Sequence, residues 1–466
     1  MRIPALDQGT TSTRLLAAAG AGLQVLGQMR HRTSYPAPGW VEQDAAEILT
    51  NCRTLLAEAG AADAIALANQ GESCLAWDGV TGGRLSPIIV WQDRRTLPDL
   101  ARMADLAPEI AARCGLPLDP YFSAAKLGRL LRERPAVAAA HAKGHLRLGT
   151  TDAFLLHRLT GSCATDRATA SRTDLMNLAS GMWDATLCAM FGVPMECLPE
   201  IRSNLAGFGQ VGGIPITAAI VDQQAALYGH GCRKPGDAKI TFGTGAFALA
   251  VTGTTPPAPT GGLLPTVARD LGQGITYALD GGVQDAGSAV EWAVKAGIAG
   301  GLADFGSFDQ PPAVARGLLF LPVFSGPGAP HWDRSAAPLM IGLTPETTRR
   351  DICQALIEGV AFQTAALVRE IAKAVPLSTP LAIDGGLSAS RYFTSFLAQV
   401  CQVEIAVASF AERTALGAAQ LAALAIGQAL PEPQGAPLSV LPGPEMPDWH
   451  ARFNAALDRS RGWRAI

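Results

Sequence analysis

The chain has 466 residues, of which 48% are hydrophobic and 17% charged, and a formal net charge of −3. That length calls for two or three packed domains, and the charge leaves no electrostatic case for nucleic acid or an anionic membrane as partner. No run reaches the ~18 consecutive apolar residues of a membrane span, and the early Asp7 argues against a secretory leader. Nine cysteines, odd in number and never spaced C-x-x-C, point to the reduced thiols of a cytoplasmic protein rather than to a disulfide framework or a zinc site.

In chain order, Ile3–Leu6 and Leu15–Ala19 read as the strands of a hairpin whose turn carries Gly9, Thr10, Thr11, Ser12 and Thr13. Glycine lets backbone approach an anion, N–H groups and hydroxyls can point at it, and Asp7 at the strand end could hold a divalent cation. The bland alternative is a polar hairpin loop. Ala61–Asn69 and Cys74–Trp77 read as strands, with Glu72 in the turn between them. A proline-bearing loop at Gly115–Lys126 leads into a helix and carries Tyr121, and Thr150–Leu159 reads as a helix. The Thr-, Ser- and Arg-dense stretch Thr165–Asn177 reads as a polar loop, and Leu205–Pro215 as a glycine-punctuated surface segment.

The apolar run Ala218–Val221 then delivers Asp222 to the start of a helix. An acid at that place lies where an open α/β sheet meets its ligand, although most such residues merely cap the helix. A polar segment after His230 marks a boundary near 231, which gives domains of 1–230 and 231–466. The second half repeats the opening plan: strand Ala238–Thr241, turn F-G-T-G-A-F (242–247), strand Ala248–Val251. Ile275–Leu279 reads as a strand, Gly287–Ala296 as a helix, Leu318–Phe324 as a strand and Asp351–Ile371 as a helix. Leu381–Asp384 leads to a third glycine turn, Gly385-Gly386, where Ser388 or Ser390 would cap the next helix. A small-residue helix opens at Thr414, and an irregular tail over 430–448 precedes a last helix from Trp449. A cleft acid beside three glycine turns of this kind suggests phosphoryl transfer.

These motifs together resemble the FGGY family of carbohydrate kinases, and within it the glycerol kinases most. The match runs through A-L-D-Q-G-T-T-S-T-R (5–14), I-V-W-Q-D-R-R-T (89–96), G-L-P-L-D-P-Y-F-S-A-A-K-L (115–127) and D-Q-Q-A-A-L-Y-G (222–229). It continues through F-G-T-G-A-F (242–247), G-A-P-H-W-D (328–333), D-G-G (384–386) and T-A-L-G-A-A (414–419). The resemblance implies an α/β protein of two ribonuclease-H-like, actin-type ATPase domains flanking a central cleft that takes ATP and Mg2+. It makes Asp222 the catalytic base, and it puts Gly71, Glu72, Tyr121, Asp222, Gln223 and Phe247 around the substrate. Thr10, Thr11, Ser12, Arg14, Thr244, Gly287, Glu291, Gly386 and Ser390 fall to the nucleotide, and Asp7 and Asp222 to the metal.

The implied reaction is ATP-dependent phosphorylation of a small polyol or sugar, with glycerol, giving glycerol 3-phosphate, the leading acceptor. A homodimer is compatible with this reading, and neither nucleic acid nor membrane is called for. The chain departs from glycerol kinases at Gly71, where they carry arginine, at Glu291 (glutamine), at Ser390 (asparagine) and at Arg129 (tryptophan). Its short loop before Ile214 also lacks the segment that binds a feedback sugar bisphosphate. The loss of a cation at 71 makes a tetritol or pentulose kinase the rival reading, and a catalytically silent sugar- or nucleotide-binding regulator the reading from a different class.

Overall fold

The computed structural model describes residues 1–19, 22–430 and 435–464. In the first half, β1 (Arg2–Gln8), β2 (Ser12–Ala19), β3 (Gly22–Arg30), β4 (Ile65–Asn69), β5 (Gln210–Val211) and β6 (Ile214–Val221) form one sheet in the order β5-β6-β4-β1-β2-β3. The second half holds β7 (Ala238–Phe242), β8 (Ala246–Gly253), β9 (Leu264–Asp270), β10 (Ile275–Val283), β11 (Leu381–Gly385), β12 (Ile405–Val407) and β13 (Leu438–Val440). Their order is β9-β10-β8-β7-β11-β12-β13. Each sheet therefore contains one five-strand nucleus: an antiparallel meander of three, then two strands running parallel to the first. The repeated strand–glycine–strand pattern led us to expect a duplicated architecture, and this is the ribonuclease-H-like form of it that the family resemblance implied.

Five helices position the cleft: α1 (Asp222–Gly229), α2 (Gly287–Lys295), α3 (Arg349–Ala374), α4 (Arg391–Cys401) and α5 (Arg413–Ala425). Side chains alternate across the first sheet, so β4 turns Ala66 and Ala68 to one face and Ile65 and Leu67 to the other. The small face receives α5, which comes from the far end of the chain, and α1 packs against α5 with almost no space between the two backbones. A Cβ on Gly417 would lie 1.9 Å from the Ala225 carbonyl oxygen, and one on Gly229 2.0 Å from that of Arg413. Only glycine permits that approach, which accounts for the T-A-L-G-A-A run. In the second half α3 is capped by Thr348 and Asp351 in a reciprocal box and runs through the core. By length and composition it would suit a membrane span, but most of it is buried inside the protein.

Three local expectations need correction. The strand expected over Leu318–Phe324 shortens to Leu319–Leu321, because Pro322 cannot donate to a ladder. The stretch Thr165–Asn177, expected to be a polar loop, runs instead from the strand Ala164–Asp166 into the helix Arg167–Ala170, and its polar side chains are largely buried. Strand β9 was not anticipated at all. The irregular tail falls partly on 431–434, outside the described residues, and otherwise contains β13.

Candidate active site

Strands β1, β4 and β6 are parallel neighbours, with Asp7 beside Ala68 and Asn69 beside Val221. Their carboxyl ends therefore deliver Asp7, the Gly71–Glu72 turn and Asp222 to one edge, where open α/β sheets bind ligands. In the second sheet β7 and β11 are likewise parallel, with Phe242 beside Gly385, so the Gly243–Gly245 and Gly385–Gly386 turns share the corresponding edge. Between the halves lies a cleft with about 940 Å³ of empty space, lined by Trp91, Tyr121, Phe247, Thr244 and Ser288 among others.

Asp222 does not cap its helix. Val221 occupies the cap position, and Asp222 is the first helical residue, its carboxylate accepting from the Gln223 N–H at 2.6 Å. Burial and then the nearby Asp7 carboxylate push Asp222 up to about 7, against the pull of that N–H, Lys239 and Arg172. Asp7 is also pushed to about 7 by burial, with Arg14 opposing and Glu412 reinforcing. A carboxylate held near neutrality at a cleft edge is suited to accept a proton from a hydroxyl.

The cleft has an aromatic wall, and Asp222 is not among the residues that line it. Trp91 and Tyr121 rings lie 5.3 Å apart, and Trp91 meets Phe247 edge-on at 6.5 Å. Glu72 sits in the turn with φ of 58°, a left-handed conformation that costs a residue with a side chain about 1–3 kcal/mol and concentrates at functional sites. The Arg172 guanidinium donates to it at 2.7 Å and pairs with Asp280 at 2.9 Å. Burial lifts Glu72 to about 7, and Arg172 works against that rise. Gln223 turns its amide oxygen to the Lys239 ammonium at 2.5 Å, and Lys239 also reaches Thr241 at 3.0 Å. Gly71 does not leave a void: a Cβ there would stand 2.9 Å from the Val221 Cγ2 methyl. Val221 thus stands where a side chain at 71 would begin.

At the first glycine turn, the Gly9 N–H closes onto the Ser12 carbonyl at 3.0 Å. Thr10 Oγ1 accepts from Trp91 Nε1 at 3.0 Å, tying this turn to the aromatic wall, while Thr11 is exposed and Ser12 Oγ accepts from Gln28 at 2.9 Å. One Arg14 nitrogen, Nη1, donates to both oxygens of Glu412, at 2.9 and 2.8 Å. Thr244 is exposed, and its turn is docked on the start of α2 by N–H groups of Ala286, Gly287 and Ser288, each at 3.0 Å. Glu291 is exposed on α2, and Gly386 has open space where a Cβ would stand. Ser390 is committed to the fold: it accepts from the Phe393 N–H as the cap of α4 and donates to the Phe305 carbonyl at 2.7 Å.

Sequence reasoning missed Arg172, Lys239, Asp280 and Trp91. It also missed a buried His230–Asp384 pair, 3.2 Å apart, that joins the end of α1 to the end of β11. Lys239 and Asp280 lie inside otherwise apolar strands, which is the one signal that marks them beforehand, since charged side chains are seldom buried unless paired.

Comparison with known proteins agrees with this geometry. Residues 3–229 match the N-terminal domain of the FGGY family of carbohydrate kinases, and residues 238–426 match its C-terminal domain. A glycerol kinase of Trichlorobacter lovleyi is 39% identical across 99% of both chains, and one of Rhodopseudomonas palustris is 39% identical over 93% of this chain and 91% of its own length. Among solved structures, Plasmodium falciparum glycerol kinase with ADP superposes with a TM-score of 0.89 at 30% identity, covering 98% of each chain. A Brucella ovis xylulose kinase does so at 0.85 and 26% identity, over 99% of this chain and 98% of that one. With both domain signatures and full-length relatives in agreement, the chain belongs to the FGGY family of carbohydrate kinases.

Proposed function

We propose that the protein transfers the γ-phosphoryl group of ATP to a hydroxyl of glycerol, giving glycerol 3-phosphate and ADP, with Asp222 as general base. The carrying observation is the place of Asp222 at the carboxyl end of β6, on the sheet edge that also carries Asp7, where burial and Asp7 push its carboxyl up to about 7. Asp222 accepts the hydroxyl proton as the oxygen attacks phosphorus in line, an effect worth about 10²–10⁴-fold. Backbone N–H groups of the turns at Gly9–Ser12 and Gly243–Gly245 face the transferred group and stabilise its spreading charge. Thr10, Thr11 and Thr244 add hydroxyl donors. Gly287 and Gly386 let the nucleotide lie close to backbone, with Glu291 at its edge.

The oxygen donor set suits a hard divalent cation: the Asp7 carboxylate raises the proton affinity of Asp222, and no hydrogen bond reaches the Asp7 carboxylate among the described residues. Asp7 and Asp222 would hold Mg2+, which neutralises phosphate charge when bound. Around the acceptor we assign Glu72, Gln223, Tyr121 and Phe247, with Gly71 and Val221 closing the pocket floor. Residues 1–230 and 231–466 are taken as the two working domains, in the cytoplasm where ATP is at hand.

Glycerol is preferred over larger acceptors because Val221 occupies the space beside Gly71 and because the full-length relatives at 39% identity are glycerol kinases. ADP release measured with glycerol, erythritol and D-xylulose tests the reading. Glycerol should give the highest kcat/KM, whereas a preference for xylulose, or no acceptor-dependent ADP at all, would overturn it.

A further inference from the structure

Arg172 is buried, with its side chain 4% exposed, and lies on the stretch that reads in sequence as a polar loop. Two of its three nitrogens are engaged. Nε donates to Glu72 Oε1 at 2.7 Å, and Nη2 pairs with Asp280 Oδ2 at 2.9 Å. Nη1 is buried and has no hydrogen-bond partner. The guanidinium lies over the Phe122 ring, 5.6 Å from its centroid, and its field reaches Tyr121 and Asp222. Both carboxylates that grip it come from the cleft, Glu72 from the strained turn after β4 and Asp280 from β10 of the other sheet. Two fixed edges leave the third edge of a rigid planar fork oriented and unused.

A buried charged donor without a partner is costly, and in native proteins such a group calls for an explanation. Here a ligand oxygen is the fitting one, because the surrounding groups, Glu72, Tyr121 and Asp222, are those assigned to the acceptor. We propose that Arg172 is the cationic donor of the acceptor pocket, offering Nη1 to a hydroxyl oxygen of the bound polyol while Glu72 accepts from a neighbouring hydroxyl. This rests on the polyol kinase reading and deepens it. Selectivity for vicinal diols would then reside in the Arg172–Glu72 pair, in a chain that has glycine at 71.

The test measures binding separately from turnover. Calorimetric titration of glycerol without nucleotide is compared for the wild-type chain, Arg172→Lys and Arg172→Ala, alongside KM and kcat for glycerol and ATP. Lysine keeps the charge between Glu72 and Asp280 but lacks the fork, so glycerol affinity should fall about 10- to 150-fold, with the KM for ATP within twofold of wild type. Guanidinium ion added to Arg172→Ala should recover part of the glycerol binding, which a merely structural role would not show.

Unchanged glycerol affinity in a folded Arg172→Lys overturns the proposal and leaves the kinase reading standing. Glycerol binding by the wild type without phosphorylation sinks the kinase reading, and the Arg172 comparison still stands or falls on affinity. Loss of glycerol and ATP binding together, with no guanidinium rescue, assigns Arg172 to the fold and overturns the proposal. No glycerol binding by the wild type overturns both.

Discussion

Gly287→Ala adds one methyl group where the chain has no room for it. Gly287 opens α2 with no left-handed backbone angle to forbid alanine, so on helix propensity alone the change would stabilise by roughly 0.5–1 kcal/mol. The built Cβ, however, stands 2.5 Å from the Gly243 carbonyl oxygen, whereas ordinary contact begins at 3.4 Å. The obstacle is backbone, and it belongs to the Gly-Thr-Gly turn that carries Thr244. That turn must retreat by roughly 0.9 Å against the three N–H···O bonds that dock it on α2, which brings overpacking costs of about 1–3 kcal/mol. A shift of that size at a phosphate turn is expected to lower kcat/KM for ATP by about 10²-fold. Steady-state kinetics and thermal melts should show higher KM for ATP, lower Tm and little change in KM for glycerol. Gly386→Ala is the control, since nothing lies within 4 Å of its Cβ; its Tm should stay level. A Gly287→Ala protein with wild-type ATP kinetics and wild-type Tm would refute the steric argument.

Two further outcomes follow from the same geometry. Thr244→Val removes an exposed cleft hydroxyl at nearly constant volume, so KM for ATP should rise about 10- to 150-fold while Tm and glycerol affinity hold; a rise confined to glycerol KM would show the turn faces the acceptor. For Asp7, burial holds the folded carboxyl near 7, above its ordinary value of 3.8, so the folded state binds the proton more tightly than the unfolded chain. That contribution to stability is fully present below about pH 4 and is lost as pH rises through about 7. Melts of ligand-free, EDTA-treated protein should therefore find Asp7→Asn more stable than wild type at pH 8 and nearly equal at pH 4. Equal destabilisation at both would contradict the assignment.

What could be read from the chain beforehand was local. The hairpins at Gly9–Ser12 and Gly243–Gly245 follow from short apolar runs broken by Gly and Thr, and the small-residue helix from T-A-L-G-A-A. Asp222 at the end of an apolar strand was visible for the same reason. The pairing of Arg14 with Glu412 joins positions 398 residues apart, and no spacing rule reaches that far. Strand β9 carries Pro265, Arg269 and Asp270, which broke the alternation that marks a strand. Arg172 was passed over because Thr165–Asn177 has a surface-like composition; its burial depends on Thr169, Asp166 and Asn204 satisfying one another inside the fold. Ser390 was read both as a helix cap and as a nucleotide contact; it is the cap of α4, and its hydroxyl also donates to the Phe305 carbonyl.

The central claim is that Asp222 takes the proton of the attacking hydroxyl. It is tested most directly by 31P NMR of wild type and Asp222→Asn with ATP, Mg2+ and glycerol at pH 7.5. Wild type should form a phosphomonoester and ADP in equal amounts, and Asp222→Asn, still binding ATP, should do so at least 10²-fold more slowly. An Asp222→Asn chain that keeps more than about a tenth of the wild-type rate would contradict the account, given the expected size of a base effect.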